Sequence, residues 1–315
     1  MHQIERTQSA NAAGFVIKDN VILKYNGNAA DVSIPEGITK IAECAFRECA
    51  GLVRLTIPYG VTQIGSGAFW GCSRLASVAI PKSVKEIGEA AFRGCSSLES
   101  VTLPDEVGEI APLCFHGCSK LKAVTLPANA KKIGSEAFGQ CFSLVAVMVP
   151  DGVTEIGAYA FSQCVMLAGV DIPNSVVRIG RGAFHCCERL SSITLPDKME
   201  EIAPDTFLKC ASLAFVAIPK HVTKIGSAAF RGCSSLANIK IPDGVTEICR
   251  EGFYKCPSIK TVTIPNSVTL VGKKAFFGCA NLEDVTLPDY HKKFAGIIFP
   301  KNAVLHYTGG TRQEP

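Results

Sequence analysis

The sequence predicts a solenoid of stacked, near-identical coils rather than a globular fold around one closed core. Three observations predict it. A dipeptide ending in proline recurs every 23 residues, twelve times, between residues 34 and 288, without an insertion. A phenylalanine keeps the same period from Phe46 to Phe299, and a cysteine keeps it from Cys49 to Cys279. A fixed period is typical of units that are too small to fold alone and that bury apolar surface by stacking.

The first half of each repeat predicts a short β-strand, as residues 52–74 illustrate. Leu55 and Ile57 alternate with polar neighbours, which is the period-2 pattern of a strand with one buried face. Pro58 ends this strand because proline has no N–H to donate to a neighbouring strand. We therefore expect Leu55 and Ile57 to point inward and Thr56 to point outward.

The second half of the repeat returns apolar side chains to the interior. Val61 and Ile64 are predicted to point inward, and Gly65 is predicted to allow a sharp bend. Phe69 stands at the position that is phenylalanine in all twelve repeats. A periodic aromatic within an apolar pattern indicates core. We expect these rings to stack in one interior column, each contributing about 2–3 kcal/mol by its burial.

Fifteen cysteines raise the question of disulfide bonds or a metal site. Eleven share one repeat position, which is Asn302 in the twelfth repeat, and this spacing predicts a column of small buried thiols with weak hydrogen bonds to the turn backbone. No Cys-x-x-Cys pair occurs, which argues against zinc. Neighbouring coils about 5 Å apart would allow disulfides, but parallel Cβ directions argue against them. We expect free thiols and no metal, with disulfides and metal as the weaker alternatives.

Composition and motifs exclude several function classes. The net charge is +4 and basic residues alternate with acidic ones, so we predict no nucleic-acid binding. No apolar run approaches the roughly 18 residues of a membrane helix, so we predict no membrane insertion. Neither a phosphate-binding glycine loop nor a G-x-S-x-G elbow occurs. Because a regular solenoid offers a groove rather than a closed, dry site, we expect neither enzymatic activity nor a cofactor.

The consensus of the repeat is Leu-x-x-Val-x-Ile-Pro-x-x-Val-x-x-Ile-Gly-x-x-Ala-Phe-x-x-Cys-x-x, and residues 75–97 match it closely. This pattern strongly resembles the BspA-like subclass of leucine-rich repeats, and the resemblance covers about residues 34–308. It implies an α/β leucine-rich-repeat solenoid: a curved, right-handed coil, mostly strand and turn, with a parallel β-sheet on its concave side. It also implies adhesion to host matrix proteins or to other cells, without catalytic residues.

The repeat and the resemblance together suggest a division of the chain. Residues 15–33 resemble the N-terminal β-hairpin cap of that family, with Asp19-Asn20 as the turn. The predicted division is a disordered segment over 1–14, the hairpin cap over 15–33, eleven repeats over 34–286, a degenerate C-terminal repeat or cap over 287–309, and a tail over 310–315.

Two surfaces are candidates for partner binding. The first consists of the outward-facing strand positions on the concave face, where most side chains are small. Met148 and Phe215 place large apolar groups there, and with Asp171 and Lys240 they form the predicted binding patch. Strand propensity alone would explain the small residues around them.

The second candidate surface is the rim, which we define as the repeat position directly after the recurring phenylalanine. It is rich in arginine and aromatic residues, which are favoured at interfaces. The candidate rim residues are Trp70, Arg93, His116, Arg231 and Tyr254. Packing over the turn is the alternative interpretation of Trp70. His116 and His185 both lie on the rim, but a separation of three repeats, about 15 Å, prevents them from sharing one metal ion.

The predicted function is a non-catalytic, adhesion-type module that recognises a protein or glycan partner through its concave face and rim. The alternative is an intracellular scaffold or recognition subunit that forms a homodimer through its C-terminal end, which Tyr290, His291, Phe294 and Tyr307 are predicted to cover only loosely. The polar N-terminus, without a secretory signal, and the many thiols favour the cytoplasm. The resemblance favours a cell-surface or secreted setting.

Overall fold

The computed structural model describes residues 14–309. Across them the chain forms a parallel β-solenoid of about 13 turns, nearly all strand and turn, as the repeat predicts. We call each turn of the solenoid a coil. The disordered segment predicted for residues 1–14 falls almost wholly outside the described residues, and the tail predicted for 310–315 falls outside them too.

The described residues contain many short strands and little helix. The strands are β1 (Phe15–Lys18), β2 (Val21–Tyr25), β3 (Asp31–Ser33), β4 (Lys40–Ile41), β5 (Arg54–Thr56), β6 (Gln63–Ile64), β7 (Ser77–Ala79), β8 (Glu86–Ile87), β9 (Ser100–Thr102), β10 (Glu109–Ile110), β11 (Ala123–Thr125), β12 (Lys132–Ile133), β13 (Ala146–Met148), β14 (Glu155–Ile156), β15 (Gly169–Asp171), β16 (Arg178–Ile179), β17 (Ser192–Thr194), β18 (Glu201–Ile202), β19 (Phe215–Ala217), β20 (Lys224–Ile225), β21 (Glu247–Ile248), β22 (Thr261–Thr263), β23 (Leu270–Val271), β24 (Asp284–Pro288) and β25 (Val304–Thr308). A 3-10 helix (Asp289–Phe294) and the α-helix α1 (Ala295–Ile298) lie between β24 and β25.

The three-residue strands stack along one face of the solenoid, which we call the strand face. Neighbouring strands pair in parallel register, so that Leu55 of β5 lies opposite Val78 of β7. Leu55 and Ile57 are buried, whereas Arg54 and Thr56 are exposed, which confirms the predicted alternation. Hydrogen-bonded pairing along this face is interrupted between β7 and β9, between β11 and β13, between β15 and β17, and between Asn238, which bridges to β19, and β22.

The two-residue strands form a second parallel ladder, which the sequence did not predict. Ile64 of β6 lies opposite Ile87 of β8, and the same register recurs along the stack. Val61 and Ile64 are fully buried, as expected. The backbone at Gly65 is not left-handed, so the predicted sharp bend is not the reason for glycine. A Cβ atom there would lie 2.6 Å from the backbone nitrogen of Glu43, so glycine is needed for the close approach of two coils.

The third side of each coil is a turn, and we call this side the turn face. Two residues in each turn have left-handed backbone, for example Cys44 with φ 55° and Glu48 with φ 59°. The N–H of Phe46, between them, donates to the carbonyl of Ala68 in the next coil at 2.7 Å. The rim residues lie on this face, because each directly follows the phenylalanine.

The predicted phenylalanine column is confirmed. Eleven rings from Phe46 to Phe276 are fully buried, and neighbouring ring centroids lie 5.0–5.7 Å apart from Phe46 to Phe299. Tyr25 stacks on Phe46 at 5.0 Å and extends the column into the N-terminal hairpin. The column therefore supplies a continuous apolar interior along the whole stack.

The cysteine column is also confirmed, and all fifteen thiols are free. Each thiol from Cys72 to Cys279 donates a hydrogen bond to the phenylalanine carbonyl of the preceding coil, at 3.0–3.2 Å. Burial raises the pKa of the thiols from Cys95 to Cys279, to about 12 for Cys164 and about 11 for Cys279, whereas the hydrogen bond with Cys49 is the main cause of the raised pKa of Cys72. Half-buried Cys49 differs, because its hydrogen bond with Cys72 lowers its pKa.

Different elements cover the two ends of the stack. At the N-terminal end, β1 and β2 pair antiparallel, and Asp19 and Asn20 both have positive φ, as a two-residue hairpin turn requires. At the other end, the Tyr290 hydroxyl donates to the carbonyl of Val268 at 3.0 Å. His291 and Ile298 are buried there.

Candidate functional site

The predicted strand-face patch divides into two pairs. Met148 is 76% exposed and lies opposite exposed Asp171 in the next coil. Phe215, which is 58% exposed, lies opposite Asn238, and exposed Lys240 follows two residues later. Met148 and Phe215 stand three coils apart, about 14 Å at strand spacing, and at different strand positions. The structure therefore does not bring the four predicted residues into one compact site.

Two grooves run along the strand face on the N-terminal side of Phe215. One groove, of about 760 Å³, lies over β7 and β9. The other, of about 650 Å³, lies over β11 and β13 and includes Met148 and Asp171. Both are lined by Thr125, so they adjoin. Each groove lies over an interruption in the hydrogen-bonded ladder.

Acidic side chains predominate along these grooves. Asp105 and Glu106 line the first groove, together with Lys82. Asp151 and Asp171 line the second groove, where no basic residue of the described chain contributes. The remaining lining is mainly threonine, alanine and the apolar residue-proline steps that end each strand. The arrangement suits an extended, partly apolar ligand that carries positive charge.

The rim residues form two stacks on the turn face. Trp70 is enclosed between two guanidinium groups, with the Cζ of Arg47 4.3 Å and the Cζ of Arg93 5.0 Å from its ring centre. Farther along, Arg231 lies 5.0 Å from the ring of Tyr254. Such cation–π contacts contribute about 0.5–1 kcal/mol each at exposed sites. Trp70 is therefore partly packed, which agrees with the alternative interpretation, yet its stack still presents charge to solvent.

His116 lies between these stacks, beside a small cavity. Its Nδ1 is 3.3 Å from Glu136 Oε2, but the nitrogen is buried and makes no hydrogen bond in the described part of the chain. Burial lowers the pKa of His116 and also that of His185, which lines the same cavity. Among residues 14–309 no group of three or more histidine, cysteine or acidic side chains is placed to hold a metal ion.

Sequence reasoning missed one prominent exposed residue and the grooves themselves. Tyr59 is 78% exposed, directly after the proline that ends its strand, a position not considered as a binding surface. The large aromatic was visible in the sequence. The grooves lie where the ladder of strands is interrupted, and the repeat pattern does not mark those places.

The helices of the described residues are all too short to cross a membrane.

The exact repeat, the parallel ladders and the buried phenylalanine column define a leucine-rich repeat solenoid. A profile of the BspA type leucine rich repeat region, with six copies of the repeat, matches residues 17–144, 108–227 and 200–308. The chain belongs to the BspA-type leucine-rich repeat family.

Several bacterial proteins of known structure share this fold. A leucine-rich repeat protein of Bacteroides ovatus is 27% identical, with a TM-score of 0.60, over 91% of this chain and 87% of its own. A leucine-rich cell surface protein of Faecalibacterium prausnitzii is 26% identical, with a TM-score of 0.60, over 94% of this chain and 93% of its own. The pneumococcal vaccine antigen PcpA is 21% identical, with a TM-score of 0.61, over 86% of this chain and 78% of its own. That similarity is one of fold alone. Comparison with curated proteins finds no match.

Proposed function

We propose that the protein is a non-catalytic, adhesion-type module that binds an extended segment of a protein partner along the strand face. The observation that carries this proposal is the pair of adjoining grooves, which together extend from Ser77 to Pro173. The family supports an interaction role, since leucine-rich repeat proteins are generally non-enzymatic interaction modules.

Met148 is the apolar anchor of this proposed site. Its thioether side chain is flexible and polarizable, so it adapts to a range of apolar partners. Asp151 and Asp171 line the same groove, so the partner segment should pair an apolar side chain with nearby lysine or arginine. Phe215 and Lys240 would meet a longer partner farther along, and the Trp70 stack would contact one that reaches over the rim.

Capture of partners from host-cell and native-cell lysates by immobilised protein tests this proposal. Met148→Asp and Phe215→Asp are compared with Val177→Asp, which changes an apolar residue that is 49% exposed beside β16, away from the strand face. We expect Val177→Asp to capture the same proteins as the wild type, and Met148→Asp to lose them. Equal capture by all four chains, or no capture by the wild type, would contradict the proposal.

Self-association through the C-terminal end is a second candidate function. Phe294 and Ile297 are 52% and 51% exposed at that end, although His291 and Ile298 beneath them are buried. β25 is the last strand of its sheet, so its outer edge is unpaired within the described residues. Light scattering should then show a dimer that Phe294→Asp with Ile297→Asp dissociates. A wild-type monomer at high concentration would rule this function out.

A further inference from the structure

The small cavity beside His116 lies on the turn face and is separate from the two strand-face grooves. It has a volume of about 270 Å³ and lies on the rim between His116 and His185. The rim residues between these histidines are Gly139 and Ser162, the two smallest on a position that elsewhere carries tryptophan, tyrosine and arginine. The cavity is therefore a gap in the rim, closed along the stack by an imidazole at each end.

Polar side chains surround this gap, and several of them can bind a ligand. Gln140 and Gln163 line it, and neither side-chain amide makes a hydrogen bond within the part of the chain that the structure describes. The Nδ1 of His116 is the one buried polar atom of this lining without a hydrogen bond there, and Glu136 Oε2 lies 3.3 Å from it. The two glutamine amides are half-exposed, so a ligand can replace water as their hydrogen-bond partner.

The Ser162 hydroxyl is already oriented toward one side of the cavity. Its Oγ lies 3.2 Å from His185 Nδ1, and His185 Nε2 lies 3.3 Å from the Sγ of Cys186. These contacts at both ring nitrogens fix the imidazole plane. The hydroxyl oxygen keeps lone pairs that can accept a further hydrogen bond.

The charge of the lining restricts the ligand class. No lysine or arginine is among the described residues that line the cavity, and Glu136 is the one carboxylate there. An anionic ligand would therefore meet a carboxylate and no cation within the lining, although the charges of Arg93, Lys209 and Asp205 outside it act on the two imidazoles. Burial lowers the pKa of both histidines and so favours their neutral imidazoles. Carboxamides, imidazoles and hydroxyls can each donate and accept hydrogen bonds. The adjacent hydroxyls of a sugar do the same, so they match this lining.

We propose that this gap in the rim binds one neutral sugar ring, as the terminal or branching unit of a glycan. Its volume lies just below the roughly 300–1,000 Å³ of pockets for drug-sized ligands, which suits a single ring. Gln140, Gln163, Ser162 and His116 hold its hydroxyls. The site does not depend on the strand-face grooves, so this proposal and the proposed function fail or succeed separately.

Saturation-transfer NMR with the methyl glycosides of glucose, galactose, mannose and N-acetylglucosamine at millimolar concentration tests the proposal. Two sets of variants probe the site. Ser162→Tyr fills the gap with a residue type that Tyr254 already carries on the rim, and Leu208→Tyr is the matched control at the same position two coils away. Gln140→Gly with Gln163→Gly removes both amides.

The double variant Gln140→Gly with Gln163→Gly should be at least as stable as the wild type. Gln140 and Gln163 have left-handed backbone, with φ 60° and 62°, at a position that is glycine in five other coils. We expect saturation transfer from the wild-type protein to at least one neutral glycoside. This signal should be lost in Ser162→Tyr and kept in Leu208→Tyr. In the double variant Gln140→Gly with Gln163→Gly, binding of the glycoside should be about tenfold weaker. Transfer to none of the glycosides, transfer that persists in Ser162→Tyr, or binding restricted to acidic sugars such as methyl glucuronide would overturn the proposal.

Discussion

Mild alkali should unfold this protein through its cysteine column. The nine thiols from Cys95 to Cys279 are buried, and burial raises their pKa, so they stay protonated in the folded state. In the unfolded chain they ionise near the ordinary thiol pKa of about 8.5. The stability that these groups contribute is therefore fully present below pH 8.5 and is lost as the pH rises above it.

The size of the loss follows from linkage. At pH 9.5, one unit above the unfolded pKa, each thiol reduces the free energy of unfolding by about 1.4 kcal/mol. Nine thiols that unfold together reduce it by about 12 kcal/mol, which matches the whole stability of a typical domain, about 5–15 kcal/mol. Burial raises the pKa of Cys164 to about 12 and that of Cys279 to about 11, so both thiols stay protonated in the folded state throughout this range.

Urea unfolding followed by circular dichroism, with a phosphine reductant, measures this effect between pH 7.5 and 9.5. The triple variant Cys141→Ala, Cys164→Ala and Cys187→Ala should start less stable at pH 7.5. It should also lose about 4 kcal/mol less than the wild type over the same pH range, because three ionising groups are gone. A urea midpoint that stays constant up to pH 9.5, or an equal pH dependence in both proteins, would refute the reasoning.

Two further predictions concern packing and thiol access. Phe161→Ala should reduce the free energy of unfolding by about 3–5 kcal/mol, because it leaves a cavity in the phenylalanine column. Phe142→Ala is the control, since this ring is 40% exposed, and it should change the free energy of unfolding by less than about 0.5 kcal/mol in the same urea assay. Native titration with a thiol reagent at pH 7.5 should label only the half-buried Cys44, Cys49 and Cys186, and denaturant should release all fifteen. Labelling of more than three before denaturation would contradict the burial, and Cys49→Ser should remove the fastest phase because the pKa of Cys49 is lowered.

Much of the fold was predictable because its strongest signals are periodic. Inward Leu55 and Ile57, the phenylalanine column and the cysteine column all follow from residues that recur every 23 positions. The second ladder was not predictable from alternation, because a strand as short as Gln63–Ile64 has no measurable period. The left-handed turn residues were hidden too, since side chains such as that of Gln163 occupy positions where glycine would be the usual signal.

The candidate site was predictable in its side chains and not in its grooves. The exposure of Met148 and Phe215 followed from strand alternation, and the structure shows both to be exposed. Their separation by three coils and their different strand positions also follow from the 23-residue repeat, although the predicted patch grouped them together. The grooves lie where hydrogen bonding between strands is interrupted. The sequence does not mark these places, because small residues such as Ala123 and Ala146 stand on strands that are paired on one side and unpaired on the other.

The hydrogen bonds between neighbouring turns give the turn face a direction along the stack. From Cys44 onward, turn N–H groups donate to carbonyls of the following coil, so their peptide dipoles add along the axis as they do in an α-helix. At the last coil the carbonyls of Ile297 and Ile298 receive the N–H groups of Lys274 and Phe276, while at the first coil Tyr25 supplies an N–H to Ala45. A coil could therefore be duplicated anywhere inside the array. The two caps could not be exchanged, because on the turn face the C-terminal cap must accept hydrogen bonds and the N-terminal cap must donate them.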